Sequence, residues 1–319
     1  MVIYPLYSSL HIKKLTKAKF EKEFSRRQKL IMANYDSICC FRSSEQSQRR
    51  RVCWELTTDC NLKCPFCHRN RGDYQYYDVN NLSKTITLLK ENKIDSVIIS
   101  GGEPLMHPQL FFIMDTLKKN GFEVDLCTNA TMLDDDTIKE LTRYLTDISV
   151  SIDGYTSYRH EAMRNVVGCF DKTIENVRKL INEGLEVHVT TVVDAEFASK
   201  IEEMTEFLYR LGVRSVAYLG LIPLENGENK LLKPECQAIL NTQIASSRDK
   251  HQDMEINTKQ LLIKSTMSKC GAGKIVFGMG TDGVSLVPCL LLRKREGKEL
   301  SRLGEGMCPG SKYLTAKKR

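Results

Sequence analysis

Three cysteines lie within eight residues: Cys60-Asn-Leu-Lys-Cys64-Pro-Phe-Cys67. Thiolates so crowded on one loop can wrap a single metal centre. Zinc sites favour four ligands, usually as two Cys-x2-Cys pairs. Iron–sulfur clusters are also held by Cys thiolates, usually four. Three local cysteines would leave one iron of a four-iron cluster open to a ligand from outside the protein. The spacing alone leaves zinc and iron–sulfur both open. A second informative segment is Gly101-Gly102-Glu103-Pro104, where glycines permit close backbone approach and Glu103 adds an acceptor. Polar pairs recur downstream at Thr128-Asn129 and at Ser151-Ile-Asp153-Gly154, with Arg164 beyond. Arg164 offers a planar fork of donors suited to a carboxylate.

These residues need elements to bring them together, and the pattern supplies them. The segments 52–58, 95–102, 122–129, 146–154, 185–193 and 213–223 read as strands rich in β-branched residues. Helical periodicity fills 83–92, 108–121, 135–145, 170–184 and 199–212 between them. Strands alternating with helices imply right-handed βαβ units and a parallel sheet. The expected fold is α/β, a partial (β/α)6 TIM-like barrel. Its chemistry belongs at the C-terminal ends of the strands. The cysteine loop follows the first strand, and Gly101-Gly102 closes the second.

In that setting, Cys60-x3-Cys64-x-Phe66-Cys67 resembles the radical S-adenosylmethionine (SAM) superfamily. The resemblance covers roughly residues 50–310. It implies a [4Fe-4S] cluster on Cys60, Cys64 and Cys67, with SAM on the open iron. SAM is then cleaved reductively to a 5′-deoxyadenosyl radical that takes a hydrogen from substrate. It also implies SAM contacts from Phe66, Gly101, Gly102, Glu103, Pro104, Asn129, Ser151, Asp153 and Arg164. Within this set, the Gly-Gly-Glu-Pro segment would meet the methionine amino group.

The tail carries Cys270, Cys289 and Cys308, each pair separated by 18 residues, with Asp282-Gly283 as a hairpin signal between the first two. It resembles the twitch or SPASM extension of one branch of the superfamily, a small C-terminal β-hairpin and helical region that holds an auxiliary [4Fe-4S] cluster. Full SPASM extensions have seven cysteines, so three fit the shorter, one-cluster form. Cys236 is a candidate fourth ligand; otherwise the site is open. Structural thiols or zinc are the competing reading for this tail. The expected organisation is a basic helical extension over 1–50, the barrel over 51–233 and the cluster region over 234–319, helical from 234 to 266.

The 319 residues carry 12 cysteines and a net charge of +7. Residues 1–52 hold 12 Lys and Arg against 4 Asp and Glu, and residues 293–319 hold 9 against 3, leaving −7 between them. Two basic ends around an acidic middle argue against a nucleic-acid surface. No run of about 18 apolar residues offers a membrane span. The N-terminus lacks a cleavage pattern, so the chain is expected to be cytoplasmic. The expected function is net oxidation or bond formation in the maturation of a ribosomal peptide. The alternative is a small-molecule dehydrogenase in antibiotic, sugar or cofactor biosynthesis, and a distant one is a zinc-containing nucleic-acid-binding protein. The expected partners are a peptide or small-molecule substrate and an electron donor such as flavodoxin or ferredoxin.

Overall fold

The computed structural model describes residues 49–67, 74–220, 232, 234–259 and 275–287. Nine strands form one sheet in the order β7-β6-β5-β4-β3-β2-β1-β8-β9. They are β1 (Arg51–Thr57), β2 (Ser96–Gly101), β3 (Glu123–Thr128), β4 (Asp147–Ser151), β5 (Glu186–Val193), β6 (Ser215–Gly220), β7 (Glu255–Lys259), β8 (Val276–Met279) and β9 (Leu286–Val287). Strands β1 to β7 are parallel and pair in chain order. This is the expected partial barrel, left open. The helices are α1 (Leu82–Glu91), α2 (Leu110–Lys119), α3 (Asp135–Leu141), α4 (Ser157–Arg164), α5 (Cys169–Asn182), α6 (Ile201–Leu211) and α7 (Pro234–Lys250).

Alternation along the strands separates two faces. Val52, Trp54 and Leu56 of β1, Val124 and Leu126 of β3, and Ile148 and Val150 of β4 are buried in one core. Leu89 of α1, Leu117 of α2, Val177 and Leu180 of α5, and Leu208 of α6 pack into the same core. Each such side chain contributes about 1.5–3 kcal/mol by leaving water. The other face carries Asp125, Cys127, Ser149, Ser151, His188 and Thr190. Helix boundaries follow local chemistry: Gly212 closes α6 with φ +96°, a conformation that L side chains rarely adopt.

Two elements depart from the sequence expectation. The helix expected over 234–266 gives way, within the described residues, to a helix ending at Lys250 and then to β7. Met254 and Ile256 alternate into the core there, and β7 adds to the edge of β6 in parallel. Helix α4 lies where no helix is expected. It is short and polar, with only His160, Met163 and Arg164 buried.

The tail also joins the sheet. β8 lies parallel to β1, from Arg51 opposite Val276 to Trp54 opposite Met279. A turn containing Asp282 and Gly283 then leads to antiparallel β9, the hairpin signalled by the sequence. All but residues 49 and 50 of the basic helical extension expected over 1–50 lie outside the described residues, as do Cys270, Cys289 and Cys308.

Candidate functional site

Parallel strands aim their C-terminal ends the same way, so the candidate residues meet at one rim. The Cys60–Cys67 loop follows β1 there, and the residues leading into it are bonded to the end of β2. Gly102 N donates to Thr57 O at 2.7 Å, and Glu103 N donates to Asp59 O at 2.7 Å. This close approach demands glycine. A Cβ on Gly102 would stand 1.9 Å from Asp59 O, and one on Gly101 would stand 2.4 Å from Thr57 O. Gly101 also has φ +142°.

Glu103 sits at the join and is 1% exposed. Its Oε1 accepts from Thr128 Oγ1 at 2.7 Å and from Leu105 N at 3.2 Å. Its Oε2 accepts from Asn129 N at 2.8 Å. Burial pushes the carboxyl up to about 7, against the pull of these donors. Pro104 is buried at the start of a short 3-10 turn, and His107 closes it with Nε2 against Tyr77 O at 3.0 Å. Asn129 reaches back to the cysteine loop. Its Nδ2 donates to Asn61 Oδ1 at 2.8 Å and lies 4.0 Å from Cys60 Sγ.

Ser151 ends β4, its hydroxyl 3.4 Å from that of Thr190. Asp153 is fully buried: its Oδ1 accepts from Val192 N at 2.8 Å, and its Oδ2 pairs with Arg164 Nη2 at 2.7 Å. Arg164 Nη1 donates to Cys64 Sγ at 3.7 Å, and the guanidinium lies 5.8 Å from the Phe66 ring centroid. Asp153 therefore reaches the cysteine loop through Arg164. Its backbone N donates to Nδ1 of His160, a ring that burial keeps neutral by lowering it to about 3.

The three cysteines share a small apolar cluster with Leu62, Phe66 and Val166, in which Cys64 and Leu62 are buried and the others are partly buried. Cys169, given no role by the sequence, is buried in the same cluster at the start of α5. Burial pushes the Cys60 thiol up to about 11 and raises that of Cys64, while Arg164 pulls Cys64 down. Among the described residues no three His, Cys, Asp or Glu side chains gather around a single metal ion. A cluster makes a different demand, because its thiolates bind separate irons. The donor set suits that demand: Leu62 N, Asn129 Nδ2 and Arg164 Nη1 all point N–H groups at cysteine sulfur.

Two tyrosines neighbour this loop. Tyr76 is half-exposed and donates to Asp59, whereas Tyr77 is buried edge-on against Trp54 at 4.6 Å. Sequence reasoning missed His107, His160 and the Arg159–Asp194 pair at 2.8 Å that braces the turn after β4. The signal that could have found α4 is Thr156, whose hydroxyl accepts from Arg159 N as an N-cap.

Comparison with known proteins agrees with this geometry. Residues 54–208 match the model of the radical SAM superfamily. That span is similar to a radical SAM domain. The matched span runs from β1 into α6 and contains the cysteine loop, the Gly-Gly-Glu-Pro segment and α4. This superfamily uses a [4Fe-4S] cluster and SAM, the cofactors implied by the resemblance.

The AdoMet-dependent heme synthase of Methanosarcina barkeri is 27% identical over 193 residues, 56% of this chain and 52% of the relative. The subtilosin biosynthesis protein AlbA of Bacillus subtilis is 27% identical over 190 residues, 58% of this chain and 42% of the relative. The chain thus spans about half the length of these curated relatives. Streptococcus suis SuiB, solved with its precursor peptide SuiA, shares the fold with a TM-score of 0.66 at 17% identity, over 93% of this chain and 70% of SuiB. No helix among the described residues is long and apolar enough to cross a membrane.

Proposed function

We propose that this protein is a radical SAM enzyme that modifies a ribosomally made peptide. The observation that carries the chemistry is the juncture at the strand ends, where Thr57 and Asp59, leading into the Cys60–Cys67 loop, are stitched to Gly102 and Glu103. Cys60, Cys64 and Cys67 hold the cluster in this reading. When bound, it supplies the electron that splits SAM into methionine and a 5′-deoxyadenosyl radical able to take a hydrogen from substrate.

The remaining residues bind and orient. Gly101 and Gly102 let the backbone approach SAM without an intervening Cβ. Glu103 supplies a buried acceptor for the SAM ammonium, and Pro104 stiffens the turn that aims it. Phe66 and Leu62 keep water from the cysteine sulfurs. Asn129 and Ser151 offer polar contacts from the ends of β3 and β4. Such a rim must hold the substrate hydrogen within a few ångström of the reacting carbon.

Peptide maturation is supported by the likeness to AlbA, a bacteriocin biosynthesis protein, and by the SuiB fold, seen with a precursor peptide. The basic residues 1–52 suit an acidic leader segment. Cys270, Cys289 and Cys308 would hold an auxiliary [4Fe-4S] cluster that accepts an electron from the substrate radical, giving net oxidation or bond formation. A flavodoxin or ferredoxin would reduce the first cluster. Likeness to the heme synthase favours a second reading, a small-molecule radical SAM enzyme of cofactor biosynthesis.

Anaerobic reconstitution followed by SAM turnover tests the proposal. The wild type should form 5′-deoxyadenosine, and the Cys60→Ala, Cys64→Ala, Cys67→Ala variant should form none. Retained SAM cleavage in that variant would sink the assignment. Replacing Cys270, Cys289 and Cys308 by Ala should remove about four irons and leave the first cluster. A peptide encoded beside the gene, modified by the wild type alone, separates the peptide reading from the small-molecule one.

A further inference from the structure

We propose that Arg164, clamped by Asp153, sets the reduction potential of the cluster on Cys60, Cys64 and Cys67 through its contact with the Cys64 sulfur. The inference rests on the cluster assignment above and goes beyond it, because it concerns how easily that cluster accepts its electron.

Arg164 is the last residue of α4, and its carbonyl accepts from Lys63 N at 3.2 Å, which ties the helix end to the cysteine loop. Its side chain is buried, at 8% exposure for the residue. Nη1 donates to Cys64 Sγ at 3.7 Å, and Nη2 pairs with Asp153 Oδ2 at 2.7 Å. Nε is buried with no hydrogen-bond partner, so the guanidinium is held by these two contacts and by the Phe66 ring.

A guanidinium keeps its charge at any accessible pH. Burying it is costly unless anions compensate. Asp153 supplies one anion, and a Cys64 thiolate supplies the other. The charge cannot swing away, because Asp153 is fixed by Val192 N and carries no exposed surface.

Reduction adds one negative charge to the cluster. Hydrogen bonds to ligand sulfurs and nearby positive charge stabilise that added electron and raise the potential. Asp153 acts in two ways on the same quantity. It aims the guanidinium, and its own charge offsets part of the pull. Arg164 is thus a positioning residue for electron entry.

The test is an anaerobic redox titration of the full chain without SAM, following the reduced-cluster electron paramagnetic resonance signal that Cys60→Ala abolishes. Arg164→Gln should lower the midpoint by at least a tenfold change in the reduced-to-oxidised ratio, which is about 59 mV for a one-electron couple. Arg164→Lys should fall between that variant and the wild type, since a point charge remains without the fork. Asp153→Asn should raise the midpoint. Unchanged midpoints with full iron content in these variants would overturn the proposal while leaving the cluster assignment standing. Loss of iron from all three would overturn it in favour of a purely structural anchor. Absence of any cluster signal in the wild type would overturn the assignment itself, and this inference with it.

Discussion

Glu103 at the end of β2 accepts the backbone N–H of Asn129 at the end of β3, at 2.8 Å and almost out of reach of water. One carboxylate therefore holds two neighbouring strand ends in register. The hydrogen bonds from Thr128 and Leu105 complete its shell.

Glu103→Gln should therefore act on both binding and stability. The amide keeps one acceptor oxygen and turns an NH2 toward donors that need an acceptor. Leaving one buried donor unsatisfied costs about 1–3 kcal/mol. The expected outcome is a lower midpoint in denaturant, together with at least tenfold weaker SAM binding by equilibrium dialysis of the reconstituted protein. Wild-type affinity in this variant would remove Glu103 from the SAM site.

Gly102→Ala tests the cradle. Its Cβ would fall 1.9 Å from Asp59 O, a backbone atom that cannot rotate aside. The loop bearing Cys60 must then move away from β2. A destabilisation of about 1–3 kcal/mol is expected, the usual scale of overpacking. Iron retained after reconstitution should fall with it. Gly121→Ala is the control: nothing lies within 4 Å of its Cβ, and its cost comes only from φ +87°.

Much of this rim is legible in the sequence. β2 announces itself as Ser96-Val-Ile-Ile-Ser100 running into two glycines, and the cysteine loop follows β1 directly, so the shared rim follows from parallel topology alone. Helix α4 is not legible. Its residues, Ser-Tyr-Arg-His-Glu-Ala-Met-Arg, show no apolar stripe because it buries His160, Met163 and Arg164 against the site. Strand β7 is hidden for another reason. It is an edge strand of five residues in which Ile256 is the only aliphatic side chain, so its pattern carries little period. The partnership of Asp153 with Arg164 depends on α4 and is lost with it.

The polar face of the sheet makes a pH prediction. Asp125 on β3 is pushed up to about 6, first by burial and then by Asp147 on the neighbouring strand. The folded state then binds more protons than the unfolded chain between about pH 4 and pH 6, so stability falls as pH rises through that window. Asp125→Asn should flatten this slope in urea titrations run between those values. An unaltered slope would locate the dependence elsewhere.

The hairpin that leads toward Cys289 is pinned to the barrel by a buried polar chain. Thr85 Oγ1 in α1 lies 2.8 Å from Gly283 O and 2.8 Å from the Tyr77 hydroxyl, while Trp54 Nε1 donates to Gly280 O at 3.2 Å. Gly283 must be glycine there, since a Cβ would stand 2.2 Å from the Tyr77 ring. Thr85→Val keeps the shape and deletes the hydroxyl, leaving a carbonyl and a phenol short of a partner. A cost of about 1–3 kcal/mol follows from such orphaned groups. The loss should be local: amide exchange should quicken in 276–287 while the strands β2 to β5 keep their protection. If the hairpin also orients the auxiliary cysteines, iron bound by that tail should fall in Thr85→Val with the first cluster intact. Uniformly faster exchange across the sheet would show instead that Thr85 supports the whole core.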